Sequence, residues 1–271
     1  MEVTNDKLVA FFHRHLVPFC TIFTVENKAA AYVATAFVLS AENEWFLVTA
    51  GHVALDIKSH LQNPKYSLEK VFLYDYGGIG AVYNEPIPFE LTSNNLLVFG
   101  DEKTLDYAAI HLRPHYKRLL TANNIEPLNE EVWLRQPQKP EFFNMLGVPL
   151  QMVSVEWNDD AKSLINQVNI VTTLLHVEHA PLRPVGLAKR NSARWYGYVR
   201  LTPPIDDISG MSGAPIFAFK HTRDGELRYW LVGVQSSWNR GNKAIAVCPA
   251  KKLGDFLAEG IKKFKECQAN Q

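Results

Sequence analysis

The sequence Gly210-Met211-Ser212-Gly213-Ala214-Pro215 places a serine between two glycines in a polar stretch. The apolar run 216–219 follows directly and predicts a buried strand. Glycines let a turn adopt backbone conformations that other residues resist, and they leave room for close approach. A reactive serine needs a rigid turn of this kind, with backbone N–H groups free to bind a developing oxyanion. Glycine and serine also form ordinary turns, so the loop alone leaves both interpretations open.

A histidine stands at the end of an apolar run in the first part of the chain. Residues 45–48 predict a buried strand that continues into Thr49-Ala50-Gly51-His52-Val53. Imidazole titrates near neutral pH, which makes His52 a candidate general base. A single histidine at a strand end can equally serve the fold alone.

An aspartate heads a second apolar run, residues 105–112. Asp106 could cap a turn, or it could accept the N–H of His52 and hold the imidazole in one tautomer. The three candidates follow one another in the order His52, Asp106, Ser212. That order of histidine, aspartate and serine is one of several in which catalytic triads occur.

Taken together, the blocks 49–53, 105–110 and 210–215 resemble the signature blocks of trypsin-like (chymotrypsin-fold) serine peptidases. The similarity is to the bacterial and intracellular HtrA-like branch. It implies an all-β fold of two antiparallel six-stranded β-barrels with short terminal helices. The expected divisions are an N-terminal helix, a first barrel, a second barrel and a C-terminal helix, over residues 1–18, 19–125, 126–250 and 251–271.

The resemblance also implies a serine endopeptidase that works through an acyl-enzyme intermediate on a protein or peptide substrate. Ser212 would attack the scissile carbonyl, His52 would transfer its proton, and Asp106 would orient His52. The backbone N–H groups of Gly210 and Ser212 would form the oxyanion hole.

The resemblance places the substrate along residues 233–238, where Ser236, Ser237 and Trp238 would bind an extended peptide. By its offset from Ser212, Asp206 matches the base of the primary specificity pocket, where a carboxylate would favour Arg or Lys before the cut. Alternatively, Asp206 is a solvated loop residue. Trp238 stands where a small residue often keeps the pocket open and would narrow it.

The sequence departs from activated relatives at Met211, where those carry an acid that pairs with a freed N-terminus, and no activation-site pattern appears in the first thirty residues. We therefore expect control by an activating protein partner, by a loop that orders, or by a narrow recognition motif, with loop 183–194 as a candidate. Two alternatives stay open. One is a latent pseudo-protease that binds peptides or scaffolds an assembly, and the other is an esterase using the same triad.

Composition and charge indicate which partners, location and cofactors to expect. The 271 residues carry 28 basic and 28 acidic side chains, which predicts no nucleic-acid partner and no anionic membrane surface. Three cysteines, Cys20, Cys248 and Cys267, do not form a disulfide framework and favour a cytoplasmic location. Residues 176–179 pair two histidines but bring no third ligand motif, so we expect no metal and no cofactor.

Overall fold

The computed structural model describes residues 5–26, 28–77, 81–92, 95–99, 105–136, 139–157 and 165–269. The strands in chain order are β1 Phe19–Val25, β2 Lys28–Ala34, β3 Phe37–Ala41, β4 Glu44–Thr49, β5 Tyr66–Leu73, β6 Ile87–Pro88, β7 Leu96–Phe99, β8 Tyr107–His111, β9 Phe142–Gly147, β10 Val153–Trp157, β11 Ile165–Ile170, β12 Thr173–Ala180, β13 Trp195–Arg200, β14 Pro215–His221, β15 Leu227–Asn239 and β16 Ala244–Pro249. The α-helices are α1 Asn5–Phe12, α2 Gly51–Gln62, α3 Pro114–Ala122, α4 Glu130–Trp133 and α5 Ala250–Ala269.

The second half of the chain closes into an antiparallel barrel in the order β12-β13-β16-β15-β14-β9. Strand β9 completes the ring because it pairs with both β12 and β14. Apolar side chains of alternate residues, such as Met145, Ile216 and Val247, fill its interior. The chain is thus mostly β with few helices, and this closed six-stranded barrel is one of the two barrels expected of the all-β fold.

The first half forms two four-stranded sheets, β2-β1-β5-β6 and β3-β4-β8-β7, which share one apolar cluster. A single bridge, Leu16↔Phe37, and the bond from Val17 N–H to the Ala36 carbonyl link the N-terminal segment to β3. Pro18 has no N–H to extend the ladder further. Among the described strands the predicted first six-stranded barrel is therefore not shown, and the two sheets stand in its place.

A helix lies near each end of the chain, and both helices pack on the core. Phe12 of α1 packs in the same cluster as Phe217 and Phe219 of the barrel. Leu253 and Leu257 of α5 are buried in that cluster too, and a side chain at Gly254 would overlap the Trp133 ring. Among the described helices, none combines the length and the apolar character needed to cross a membrane.

Two residues of the 176–179 motif have side-chain partners in the barrel. His179 stacks on Trp195, and the intervening Glu178 pairs with Arg200 at 2.8 Å. Within the described ranges no three His, Cys, Asp or Glu side chains gather as a metal site.

A buried carboxylate, Asp75, follows β5 and is 2% exposed. Its Oδ1 has no hydrogen-bond partner among the described residues. Burial raises the pKa of Asp75 from 3.8 to about 6, with hydrogen bonding from Asn123 opposing the rise. The folded protein therefore binds this proton more tightly than the unfolded chain. Stability is gained below about pH 4 and lost as pH rises through about 6.

We expect Asp75→Asn to raise the free energy of unfolding at pH 7.5 by on the order of 2 kcal/mol, because it removes a buried charge. The gain should shrink at pH 4, where Asp75 is already neutral. Urea denaturation at both pH values measures it, with exposed Asp224→Asn as the matched control. Equal stability of D75N and wild type at pH 7.5 would contradict the assignment.

Candidate active site

His52 and Asp106 form a two-point pair between the start of α2 and the start of β8. The backbone N–H of His52 donates to Asp106 Oδ1 at 2.8 Å, and His52 Nδ1 lies 2.8 Å from Asp106 Oδ2. The Asp106 side chain is 8% exposed and the His52 side chain 30%. An ionised carboxylate only accepts, so Nδ1 carries the proton. In the neutral imidazole, Nε2 is then left as the base.

The strand register explains why these residues meet. Strands β4 and β8 are antiparallel with Thr49 opposite Ala108, so the register continued by two residues puts Gly51 opposite Asp106. A Cβ at Gly51 would lie 2.8 Å from Asp106 Oδ1 and 3.0 Å from the Tyr107 carbonyl oxygen. Only glycine lets the helix begin this close to the carboxylate.

Ser212 lies half-buried on a turn that the barrel holds at both ends. Gly210 and Gly213 have φ values of +91° and +97°, which other residues rarely adopt. The Gly213 N–H donates to the Gln235 carbonyl at 2.9 Å, and Gln235 N–H donates to the Ala214 carbonyl at 2.9 Å. Met211 points into the barrel core and is fully buried. The turn is thus anchored on both sides of the serine.

This turn packs directly on the strand end that precedes His52. A Cβ at Gly213 would overlap Thr49 Oγ1 and lie 3.0 Å from the Ala50 nitrogen. Gly213 follows Ser212, and Ala50 stands two residues before His52. The structure therefore brings the serine turn of the barrel against the strand end that leads into His52.

Thr35 joins the two halves at this contact and was not predicted from the sequence. Its hydroxyl donates to the Gly210 carbonyl at 3.1 Å and accepts the Val148 N–H at 2.9 Å. Its own carbonyl accepts the Thr49 hydroxyl at 2.8 Å. The one available sequence signal is that Thr35 is a polar residue within the apolar segment 29–39. In the structure Thr35 is fully buried, and the segment splits at this point into β2 and β3.

Two peptide planes of the turn are held by their carbonyl groups. The Ser209 carbonyl accepts from Leu150 N–H at 2.7 Å, and the Met211 carbonyl accepts from Ala214 N–H at 2.9 Å. In a trans peptide the N–H points opposite to the C=O, so Gly210 N–H and Ser212 N–H point away from these partners. Within the described part of the chain, neither N–H donates to another backbone group.

Strand β15 offers an open edge next to this turn. It pairs with β14 as far as Pro215↔Val234, and beyond that point the described strands pair it with β16 alone. A bulge between Gln235 and Ser237 turns Ser236 inward, where its hydroxyl donates to the Ala246 carbonyl at 3.2 Å. Residues 236–239 therefore have one edge on which an extended chain could add a strand.

The predicted specificity residue Asp206 and its neighbour have different surroundings. Asp206 is exposed, and its backbone N–H reaches Gln151 at 3.4 Å. Asp207, half-buried, accepts the Trp238 indole N–H at 2.9 Å and the Ser209 hydroxyl at 2.9 Å. Burial would raise the pKa of Asp207, but the hydrogen bonds from Ser209 and Trp238 outweigh it and lower the pKa. Asp207, not singled out from the sequence, thus holds Trp238 beside the serine turn.

No family model matches the chain, and no curated protein matches it. Among solved structures, the active form of the Rv3671c protease from M. tuberculosis is 16% identical, with 94% of this chain and 84% of that chain covered and a TM-score of 0.46. A mutant of the Tobacco Etch Virus protease is 12% identical, with 95% and 82% covered and a TM-score of 0.45. Serine protease AL20 from an extremophilic microorganism is 14% identical, with 88% and 92% covered and a TM-score of 0.45.

Proposed function

We propose that this chain is a chymotrypsin-like serine endopeptidase with the triad His52, Asp106 and Ser212. The observation that carries the proposal is the pairing of His52 with Asp106 through both its backbone N–H and Nδ1, each at 2.8 Å. Such a pairing fixes the imidazole so that Nε2 is the base. The turn that carries Ser212 packs against the end of β4, from which the chain continues to His52.

In the proposed reaction Ser212 Oγ attacks the scissile carbonyl carbon while His52 Nε2 takes the hydroxyl proton. Asp106 stabilises the imidazolium that forms and remains a carboxylate. The tetrahedral intermediate collapses to an acyl-enzyme, and the leaving amine receives the proton from His52. Water then attacks the ester by the same proton route, releasing the acid and restoring Ser212.

The oxyanion of the intermediate is assigned to the backbone N–H groups of Gly210 and Ser212. Both peptide planes are already held by bonds to their carbonyls, from Leu150 and Ala214, so the donors need no reorganisation when charge develops. Each such donor contributes on the order of 3 kcal/mol to transition-state stabilisation.

The substrate is assigned to the open edge of β15 at residues 236–239, where an extended peptide would pair with backbone groups of Ser236 and Trp238. Trp238 is held by Asp207, which supports a narrow primary pocket. The preference for Arg or Lys through Asp206 stays a prediction, because Asp206 is exposed.

Control by an activating protein partner or by loop 183–194 remains part of the proposal. The loop is tied to the end of β15, since Asn239 donates to the Gly186 carbonyl at 3.0 Å. Cys20 and Cys248 are buried free thiols, which accords with the predicted cytoplasmic location. The HtrA-like branch likewise stays a prediction.

A fluorophosphonate probe tests the proposal directly, because it reacts with activated serines. We expect wild type to be labelled and both Ser212→Ala and His52→Ala to lose labelling completely. Ser154→Ala, which removes an exposed serine of β10, should label like wild type. Labelling that survives in S212A would contradict the assignment of the nucleophile.

Two further outcomes separate the alternatives. A folded wild type that binds extended peptides but takes no label, even with candidate partner proteins present, would favour the pseudo-protease. Turnover of esters with no cleavage of any peptide would favour an esterase using the same triad.

A further inference from the structure

Basic side chains collect where the open edge of β15 ends. Loop 183–194 contains four Lys or Arg residues, turn 240–243 contains two, and neither contains an Asp or Glu. We call these two segments the basic rim. Four of its cations, Arg183, Lys189, Arg240 and Lys243, are exposed. Within the described part of the chain, the only carboxylate in ion-pair range of these four is Asp207, which lies 3.8 Å from Arg240.

Hydrogen bonds hold the two segments of the basic rim together. Asn239, at the end of β15, donates to the Gly186 carbonyl at 3.0 Å, and Asn242 donates to the Val185 carbonyl. A Cβ at Gly186 would overlap the Asn239 side chain. Leu187 is buried against β16. The loop therefore has a fixed place beside residue 239, the last residue of the open edge.

Arg240 extends the positive charge of the rim to the candidate active site. Its Nη1 lies 3.8 Å from Asp207 Oδ2, while Asp207 Oδ1 accepts the Trp238 indole N–H at 2.9 Å. The Arg240 side chain is still 69% exposed, which leaves room for a second carboxylate on its guanidinium. Neighbouring Asp206 is exposed and forms no ion pair with the described cations.

We infer that the basic rim binds acidic residues of a peptide substrate on the N-terminal side of the scissile bond. The inference rests on the proposed function, in which the peptide adds to the open edge at residues 236–239. Gln235 holds the serine turn at one end of this edge, and Arg240 follows the other end. Both strands that pair with β15 run antiparallel to it.

The direction of the peptide sets which of its residues reach the rim. A peptide that also adds antiparallel, with its scissile bond at Ser212, has its N-terminal residues toward Arg240. A strand advances about 3.3 Å per residue, so residues 236–239 accommodate roughly four residues of substrate. Acidic residues from about the fourth position before the cut onward would therefore meet the basic rim.

The neighbouring strand edge favours a peptide over a nucleic acid as the anionic partner. The edge presents backbone N–H and C=O groups, and an extended peptide satisfies both. A phosphodiester backbone has no N–H to donate to the C=O groups. The chain as a whole also carries equal numbers of basic and acidic residues, so the rim is a local feature and not the broad basic surface typical of nucleic-acid binding.

Peptide binding to Ser212→Ala tests the inference without requiring cleavage. The probes are two peptides, one of three glutamates followed by three alanines and the other of three glutamines followed by three alanines, each with an uncharged fluorophore at its C-terminal end. We expect the glutamate peptide to bind about five- to tenfold more tightly in low salt. The difference should vanish in about 1 M salt, where charges are screened beyond about 3 Å. Fluorescence anisotropy measures both affinities.

Substitutions in the S212A protein test whether the rim causes the preference. Arg240→Gln combined with Lys189→Gln should reduce it below about twofold, because two exposed charges are lost. Arg240→Lys keeps the charge and should retain the preference. Arg118→Gln, which removes an exposed cation of α3 outside the rim, should leave the preference unchanged. Circular dichroism checks that each variant is folded.

Equal affinity of S212A for the two peptides, or no binding of either, would overturn the inference. A preference that survives the loss of both cations would overturn it too. Binding of a single-stranded oligonucleotide through the same cations, with no preference for the glutamate peptide, would assign the rim to nucleic acid instead. If wild type takes no fluorophosphonate label while S212A still prefers the glutamate peptide, the proposed catalysis fails and the rim stands as a peptide-binding surface.

Discussion

Asp106→Asn is expected to slow fluorophosphonate labelling of Ser212 by about 10³–10⁴-fold. Asparagine is nearly the same size, and its carbonyl oxygen can still accept the His52 backbone N–H that Asp106 Oδ1 accepts at 2.8 Å. Its amide then faces His52 Nδ1 as a donor. The imidazole must place its proton on Nε2, and the base that should take the serine proton is lost.

The matched control is Asp56→Asn. Asp56 is exposed on α2, four residues after His52, so the same chemical change is made close to His52 while the tautomer is untouched. We expect D56N to label at the wild-type rate. Second-order labelling rates at pH 7.5, with circular dichroism as a check of folding, measure the difference. A folded D106N that labels within about tenfold of wild type would show that Asp106 does not orient the base.

Local sequence patterns correctly predict the strands that have a turn at each end. The strands Phe19–Val25 and Leu96–Phe99 lie where the apolar runs predict them. The apolar run 31–39 predicts a single strand. In the structure this run breaks at Thr35, because its two parts belong to different sheets. Residues 165–175 also predict a single strand, but they form β11 and the start of the barrel strand β12, which belong to different sheets. Sheet membership depends on distant partners, which a run of apolar residues does not reveal.

The local sequence does not predict helix α2. Residues 54–70, with Pro64, predict an irregular segment, yet the chain is helical over Gly51–Gln62. The buried residues of this helix are Gly51, Val53, Ala54 and Ile57, and they form a stripe too short to stand out by periodicity. The helix owes its place to the contact of its first turn with Asp106, which lies on another element.

The candidate site shows the same division. His52, Asp106 and Ser212 could be singled out because each stands in a distinctive local stretch. Thr35 could not, because its partner Gly210 is far away along the chain. Side chains that support a site through long-range hydrogen bonds leave no local pattern to find.

Gly213→Ala is expected to lower the free energy of unfolding by about 3 kcal/mol and to abolish labelling of Ser212. The residue has φ +97°, so any side chain is strained before it touches a neighbour. The new Cβ would also overlap Thr49 Oγ1 and lie 2.5 Å from the Thr35 carbonyl oxygen. Neither neighbour can yield easily, because the Thr49 hydroxyl and the Thr35 carbonyl bond each other at 2.8 Å.

Gly225→Ala separates the effect of backbone strain from the effect of steric overlap. Gly225 has a similar φ of +81° in the turn between β14 and β15, but a Cβ there would meet nothing within 4 Å. Gly225→Ala should therefore lower the free energy of unfolding by only about 1 kcal/mol, and Ser212 should still be labelled. Urea denaturation and fluorophosphonate labelling are measured for both variants. G225A reports the effect of backbone strain alone, and G213A reports the effect of strain together with steric contact. If G213A were no less stable than G225A, the turn would not press on the strand end before His52. The structural link between the serine and the His52–Asp106 pair would then lose its main support.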